Sequence, residues 1–178
     1  LDDIAWIFNL RGSDIPSSPT ALAFALITLD QSFLYLQANT YNQSMIDSYK
    51  EENIVIKDYY KIYEDAMSLK GRVLLNTASV NYELFNQIEC EIVDGMNPSQ
   101  AFKAIKNETE IKNTKNAHLK DSIATTKFMY WLKQNYGKIE MDEISVAQKI
   151  LEFKEQQDLF VDTSFTTICA FNENAALM

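Results

Sequence analysis

Metal-assisted hydrolysis needs carboxylates and histidines that converge on a metal with one coordination position left open. This sequence carries a single histidine, His118, near the start of what reads as a long helix. A lone histidine on a helix is more often a structural or surface residue than a ligand. The acidic pair Asp142 and Glu143 opens a second helical stretch, where capping and the helix dipole account for both side chains. Asp162 precedes a strand-like run with no histidine beside it, and Glu152 and Glu155 fall on an exposed helix face. None of these carboxylates reads as a metal ligand.

Nucleophilic chemistry is no better provided for. Cys90 and Cys169 are the two cysteines, without metal-ligand spacing, and His118 would have to serve either one as its base. They read as two buried thiols in a reducing compartment. Gly12, Gly71, Gly95 and Gly137 are isolated, so no glycine-rich loop cradles a phosphate. The methionines, tyrosines and phenylalanines read as core.

The formal net charge is −9, and the surface it implies repels phosphate backbones. No lysine–arginine cluster offers a local exception, which argues against nucleic acid as a partner. No apolar run approaches the roughly 20 residues that span a bilayer, and the longest, residues 21–29, has the length of a strand. No membrane partner is expected, and the cytoplasm is the expected location. At 178 residues and 47% hydrophobic content, the chain has enough apolar material for one or two small domains rather than disorder.

The elements that must position any site follow from pattern. Ile4, Trp6, Ile7 and Leu10 form an apolar run behind Asp2 and Asp3, with Asp2 placed to cap a short helix. Residues 11–14, Arg-Gly-Ser-Asp, break that run, and Gly12 permits a tight reversal where a side chain would clash. Residues 21–28 and 32–36 read as a β-hairpin turning at Leu29-Asp30-Gln31, its first strand buried. Helices are expected over 42–52, 59–69 and 79–87, and short strands over 54–56, 72–75 and 91–93. Lys70-Gly71 suits the left-handed close of the second helix. This alternation predicts an α/β layer with helices packed on a mixed sheet.

The character changes after Asn97-Pro98-Ser99, which opens a brief helix reaching Lys106. Asn107 with Glu110 three residues on is a capping box that starts a long helix. Ala117, Ala124, Phe128, Trp131 and Leu132 share one face of it, and Gly137 ends it. Asp142 caps a second helix with Ile144, Ala147 and Leu151 on one face and Val146, Ile150 and Phe153 beside them. Residues 164–171 read as a strand. The expected domain boundary lies near residue 105.

The segment IAWIFNLRGSDIP with the following ALAFALITLD closely resembles the second domain of the three-domain Xaa-Pro aminopeptidases (aminopeptidase P). KNETEIKNTKNAHLKD, residues 106–121, resembles the segment by which that family enters its catalytic domain. EISVAQKILEFKEQQDLFVDTSFTTI, residues 143–168, resembles that domain's second helix and first strand. Three matches in family order are more specific than any one of them; residues 40–100 match in pattern more than identity. The fold implied is α/β (α+β): a creatinase N-terminal-like α/β domain over 1–104, then the first helices and strand of a pita-bread catalytic domain over 105–178. Leu1 has no methionine before it and the sequence stops abruptly at Met178, so the sequence predicts a piece of a larger protein.

The resemblance further implies a parent with two divalent metal ions, usually manganese, that activate water against the bond before a proline at position two. Proline-containing peptides are the implied partners, and the family commonly forms homodimers. In the family two aspartates, a histidine and two glutamates hold the metals, all downstream of the segment present here. No catalytic or metal residue therefore carries over, no metal is expected in these 178 residues, and alone they are expected to be inactive. Phe165, in SFTTI, matches an aromatic position facing the metal pocket, where some relatives have tyrosine. Asn174 matches the loop before a pocket histidine, with Asn174-Ala175-Ala176-Leu177-Met178 reaching that point. Arg11, in the residue 11–14 loop, is a third candidate for the pocket wall. A core aromatic and a turn former are the plain alternatives for Phe165 and Asn174. An unpaired strand at 164–171 would have open edges, which predicts self-association through the C-terminal third. Two other readings remain: a parent that has lost its metals and acts as a binding or chaperone module, and a natural short protein that binds or dimerises.

Overall fold

A computed structural model describes residues 1–175 of the chain. The chain divides into two compact units, Leu1–Ile105 and Lys106–Met178.

The first unit contains α1 (Asp2–Ile7), β1 (Ala23–Ile27), β2 (Ser32–Leu36), α2 (Gln43–Glu51), β3 (Ile54–Asp58), α3 (Lys61–Met67), β4 (Arg72–Leu75), α4 (Tyr82–Gln87), β5 (Glu91–Asp94) and α5 (Pro98–Ala104). The hairpin forms as the pattern predicts, with Ala23 opposite Leu36 and Ile27 opposite Ser32. Its turn is held by Thr28, whose Oγ1 accepts from the Gln31 amide at 3.1 Å and donates to the Gln31 carbonyl at 2.9 Å. β3 returns parallel to β2 after α2, pairing Tyr35 with Lys57. The sheet order β1-β2-β3 puts β2 in the centre.

Because successive side chains of a strand point to opposite faces, β2 feeds two cores. Leu34 and Leu36 pack with Phe8, Leu10 and Ala23 on one face. Tyr35 packs with Ile62, Ala66 and Leu84 on the other. Leu34 and Tyr35 are 0% exposed, and burial of a leucine side chain stabilises by about 1.5–3 kcal/mol. The hydroxyl of Tyr35 cannot be buried unpaired. It donates to Asp65 Oδ2 of α3 at 2.6 Å, and the Lys57 ammonium on β3 meets the same oxygen at 2.6 Å. Lys57 also lies 4.3 Å from the centre of the Phe33 ring.

Three sequence expectations need correction here. The strands do not form one mixed sheet: β4 and β5 pair in parallel as a separate two-stranded sheet. Periodicity marks where strands occur, whereas which edges meet is a long-range choice. Asp2 is not the cap of α1, since Leu1 holds that position and no side chain makes a cap bond. Asp2 and Asp3 instead place their charge in the first turn, where the helix dipole favours it. The third correction concerns the second unit.

That unit contains α6 (Glu108–Asn135) and α7 (Glu143–Glu155), which pack together. Both starts are set locally. The Glu110 amide donates to Asn107 Oδ1 at 2.9 Å while the Asn107 amide donates to Glu110 Oε2 at 2.9 Å. The Ser145 amide donates to Asp142 Oδ1 at 2.7 Å, and Ser145 Oγ accepts from the Asp142 amide at 2.9 Å. Gly137, at φ +71°, takes the left-handed conformation just past α6 that a side chain would strain. Of the expected α6 face, Ala124 is fully buried and Phe128, Trp131 and Leu132 are partly so, while Ala117 is exposed. Lys149 of α7 lies 5.4 Å from the centre of the Trp131 ring, and Lys154 pairs with Asp121 at 2.9 Å. Residues 164–171 form no strand. A strand needs a neighbour to take up its amides and carbonyls, and no other strand lies among the described residues of this unit.

Gly12 is required for a close approach rather than an unusual φ. A Cβ there would fall 2.8 Å from Ala21 Cβ and 2.9 Å from Ala21 Cα, with the two segments tied by Gly12 N–H to Pro19 O at 3.3 Å. Gly12→Ala is expected to cost about 1–3 kcal/mol, read as a lowered urea midpoint. A second expectation concerns pH. Burial and the Asp65 carboxylate raise the Tyr35 hydroxyl far above its ordinary 10.0. A raised value stabilises the fold fully below pH 10 and loses that contribution as the pH climbs above it. Burial works against ionisation of Asp65, yet hydrogen bonds from Lys57 and Tyr35 prevail and hold it below its ordinary 3.8. That contribution is present above this value and lost as pH falls through and below it. Thermal stability should fall at both extremes, and Tyr35→Phe should flatten the alkaline limb while lowering neutral stability by about 1 kcal/mol.

Candidate functional site

Arg11 leaves α1 in the loop that ends in Asp14. Its Nη1 donates to the carbonyls of Ala5 at 2.8 Å and Leu10 at 3.0 Å, adding a cation to the Ala5 carbonyl that already accepts the Leu10 amide at 3.1 Å. The residue is otherwise exposed. Asp14 Oδ2 accepts from the Leu22 amide at 2.7 Å, and the Asp14 amide donates to Thr20 O at 3.3 Å. The loop is therefore tied against the segment that leads into β1. Nearby, Tyr49 donates its hydroxyl to Phe8 O at 2.8 Å. Burial chiefly, and then Glu52, raise its ionisation above the usual tyrosine value against the pull of Arg11.

The other two candidates belong to the second unit. Phe165 sits on a bend and is 64% exposed, so the structure does not use it as a core aromatic. Asn174 ends a short 3₁₀ turn, Asn172–Asn174. Its Nδ2 donates to Glu143 Oε1 at 2.9 Å, and the same oxygen accepts from the Phe171 amide at 3.3 Å. The Phe171 ring stands edge-on to Tyr136 with centroids 6.1 Å apart. The hydrogen bond from Asn174 first, with help from backbone amides, holds the Glu143 carboxyl below its usual range. Ala176, Leu177 and Met178, which complete the stretch after Asn174-Ala175, lie outside the described residues.

Sequence reasoning gave Glu143 a helix-start role and missed this tie. The partners lie 28 and 31 residues later, and a pairing at that distance leaves no local spacing to read. Asp142 takes the cap, with the Ser145 amide foremost in lowering its ionisation. The Tyr35–Asp65–Lys57 network was missed for the same reason, since its members come from three elements. Its three side chains are engaged with one another, which makes it a tie between α3 and the sheet.

His118 is exposed on α6, and both cysteines are free thiols, partly exposed rather than buried. Among the described residues no group of three or more histidine, cysteine, aspartate or glutamate side chains is arranged to hold a metal ion. No helix among them is long and apolar enough to cross a membrane. The described residues thus show no metal centre, and what the candidate residues supply is backbone anchoring and an exposed aromatic.

Comparison with known proteins shows where such a chain occurs. Residues 1–110 match the family described as the creatinase/prolidase N-terminal domain. Aminopeptidase P2 of Arabidopsis thaliana is 32% identical over an alignment that covers 100% of this chain and 30% of that protein. A probable Xaa-Pro aminopeptidase P of Talaromyces stipitatus is 33% identical, covering 100% of this chain and 29% of its own length. The X-prolyl aminopeptidase of Caenorhabditis elegans, described as a cytosolic enzyme with a di-nuclear active site, superposes with a TM-score of 0.81 at 26% identity, over 93% of this chain and 28% of that one. The Xaa-Pro dipeptidase of Bacillus anthracis shares the fold alone, with a TM-score of 0.59 at 15% identity over 87% of this chain and 42% of that one. The chain spans about a third of the length of the curated relatives it matches. Its relatives are Xaa-Pro aminopeptidases, and the chain itself belongs to the creatinase/prolidase N-terminal domain family.

Proposed function

We propose that this chain is part of a metal-dependent Xaa-Pro aminopeptidase that removes the N-terminal residue from peptides with proline at position two. The observation that carries this reading is the alignment of 100% of the chain, both units included, with enzymes of that name. The TM-score of 0.81 to the C. elegans enzyme supports it independently. In this reading residues 1–104 are the second domain of the longer protein, and residues 105–178 begin its pita-bread catalytic domain. The exposed apolar side chains of the second unit, among them Ile144 at 81% and Ile168 at 81%, support a catalytic domain completed by further chain.

Two divalent ions, manganese in our reading, would supply the activated water. The donor set is not among the described residues, so no step through the metals is assigned to side chains of this chain. In this reading Phe165 and Asn174 of the second unit wall the peptide pocket. The di-nuclear site and cytosolic character given for the C. elegans relative support two metals and a cytoplasmic location, and a homodimer is the proposed assembly.

The test compares the full-length protein with the 178-residue chain on an Xaa-Pro peptide with added Mn²⁺. The full-length protein is expected to release the N-terminal residue and the short chain to be silent. Activity in the short chain would overturn the placement of the metal ligands outside these residues, and silence in both would favour a binding module. Because Phe165 is exposed, Phe165→Ala should leave the thermal midpoint of the short chain unchanged. In the full-length enzyme it should lower kcat/KM about ten-fold, or about 1.4 kcal/mol of transition-state binding.

A further inference from the structure

Glu143 is the one acidic side chain at the start of α7 whose carboxylate leaves its own helix. The capping work at that terminus is done by Asp142 and Ser145, so Glu143 is free to act elsewhere. Its Oε1 receives the Phe171 amide and the Asn174 side chain together. These two groups stand at either end of the 3₁₀ turn, which closes on itself through Asn174 N–H to Phe171 O at 3.1 Å. One oxygen therefore clamps the turn at both ends, and hydrogen bonds to an ionised acceptor are roughly twice as strong as neutral ones. The chain leading into the turn has little apolar anchorage: Val161, Phe165 and Ile168 are 87%, 64% and 81% exposed. The Phe171 ring meets Tyr136, and Glu143 supplies the polar tie between α7 and Asn174.

We propose that Glu143 is a positioning residue of the peptide pocket, holding the residue 171–174 turn so that Asn174 forms its wall. This rests on the peptidase reading above, in which Asn174 lines the pocket. Glu143 touches no substrate and acts through Asn174. What it needs to supply is an acceptor rather than a charge, since both partners are N–H donors.

The experiment uses the full-length protein and an Xaa-Pro peptide, with backbone hydrogen exchange at Phe171 as a second readout. Glu143→Ala should lower kcat/KM about ten-fold and speed exchange at the Phe171 amide. Glu143→Gln keeps an acceptor oxygen for both donors and should retain more activity than Glu143→Ala, within about three-fold of wild type. Asn174→Asp sets two carboxylates against each other and should impair the enzyme as Glu143→Ala does. Combining it with Glu143→Gln restores a donor–acceptor pair and should recover activity, a coupling that a merely stabilising residue would not show. An active wild type with Glu143→Ala at wild-type kcat/KM would overturn the positioning role alone. So would failure of Glu143→Gln to rescue Asn174→Asp. An inactive wild-type protein would overturn the peptidase reading and this role with it, whatever the exchange at Phe171 shows.

Discussion

The first unit depends on the double burial of β2. Ser32–Leu36 is paired along both edges and buried over Leu34, Tyr35 and Leu36, so its side chains divide between two cores. Leu34 and Leu36 go one way and Tyr35 the other. Everything around the strand follows from that demand. β1 supplies one edge through the shortest available connection, α2 carries the chain over to the other edge, and α1 and α3 lie against different faces. The single polar atom that β2 drives inward, the Tyr35 hydroxyl, requires a partner. Asp65 answers it only when α3 is docked, and Lys57 balances Asp65 only when β3 is in register. A buried network of this kind couples sheet register to helix position, because a slip in either strands a polar group away from water.

The second unit is built on the opposite principle. Its two helices are delimited by their own capping boxes, which close within three residues, and they meet over a modest apolar seam around Ala124, Phe128 and Trp131. The segment beyond α7 has strand-like composition but no strand to pair with. Its order comes from polar bonds to a helix start rather than from a ladder. Phe165 and Ile168 face solvent.

These two styles bear on function. The described residues contain no metal donor set, yet the chain aligns along its whole length with Xaa-Pro aminopeptidases. In our reading the reacting groups are carried by the remaining length of the protein, and this part carries scaffold and pocket margin. Within the first unit Arg11 uses its hydrogen bonds to fix backbone, and within the second the Asn174 side chain is held by the Glu143 carboxylate.

Much of the fold was legible in the residues themselves. The hairpin, the Asn107 capping box, the Asp142 cap and the turn glycine after α6 follow from interactions within a few positions of one another, which spacing and residue type encode directly. The LRGSD segment and its family likeness were legible for the same reason, as contiguous runs. What the sequence could not show were choices made between distant surfaces. These include the separation of β4 and β5 into their own sheet, the absence of a strand over 164–171, the Tyr35–Asp65–Lys57 network and the reach of Glu143 to Phe171 and Asn174. Each depends on which edges and faces meet in space. A strand-like run becomes a strand only if a neighbour takes up its hydrogen bonds, and a carboxylate at a helix start becomes a clamp only if another segment arrives within reach. Sequence determined the elements and the cost of leaving their polar groups unpaired; tertiary structure decided which partners met that cost.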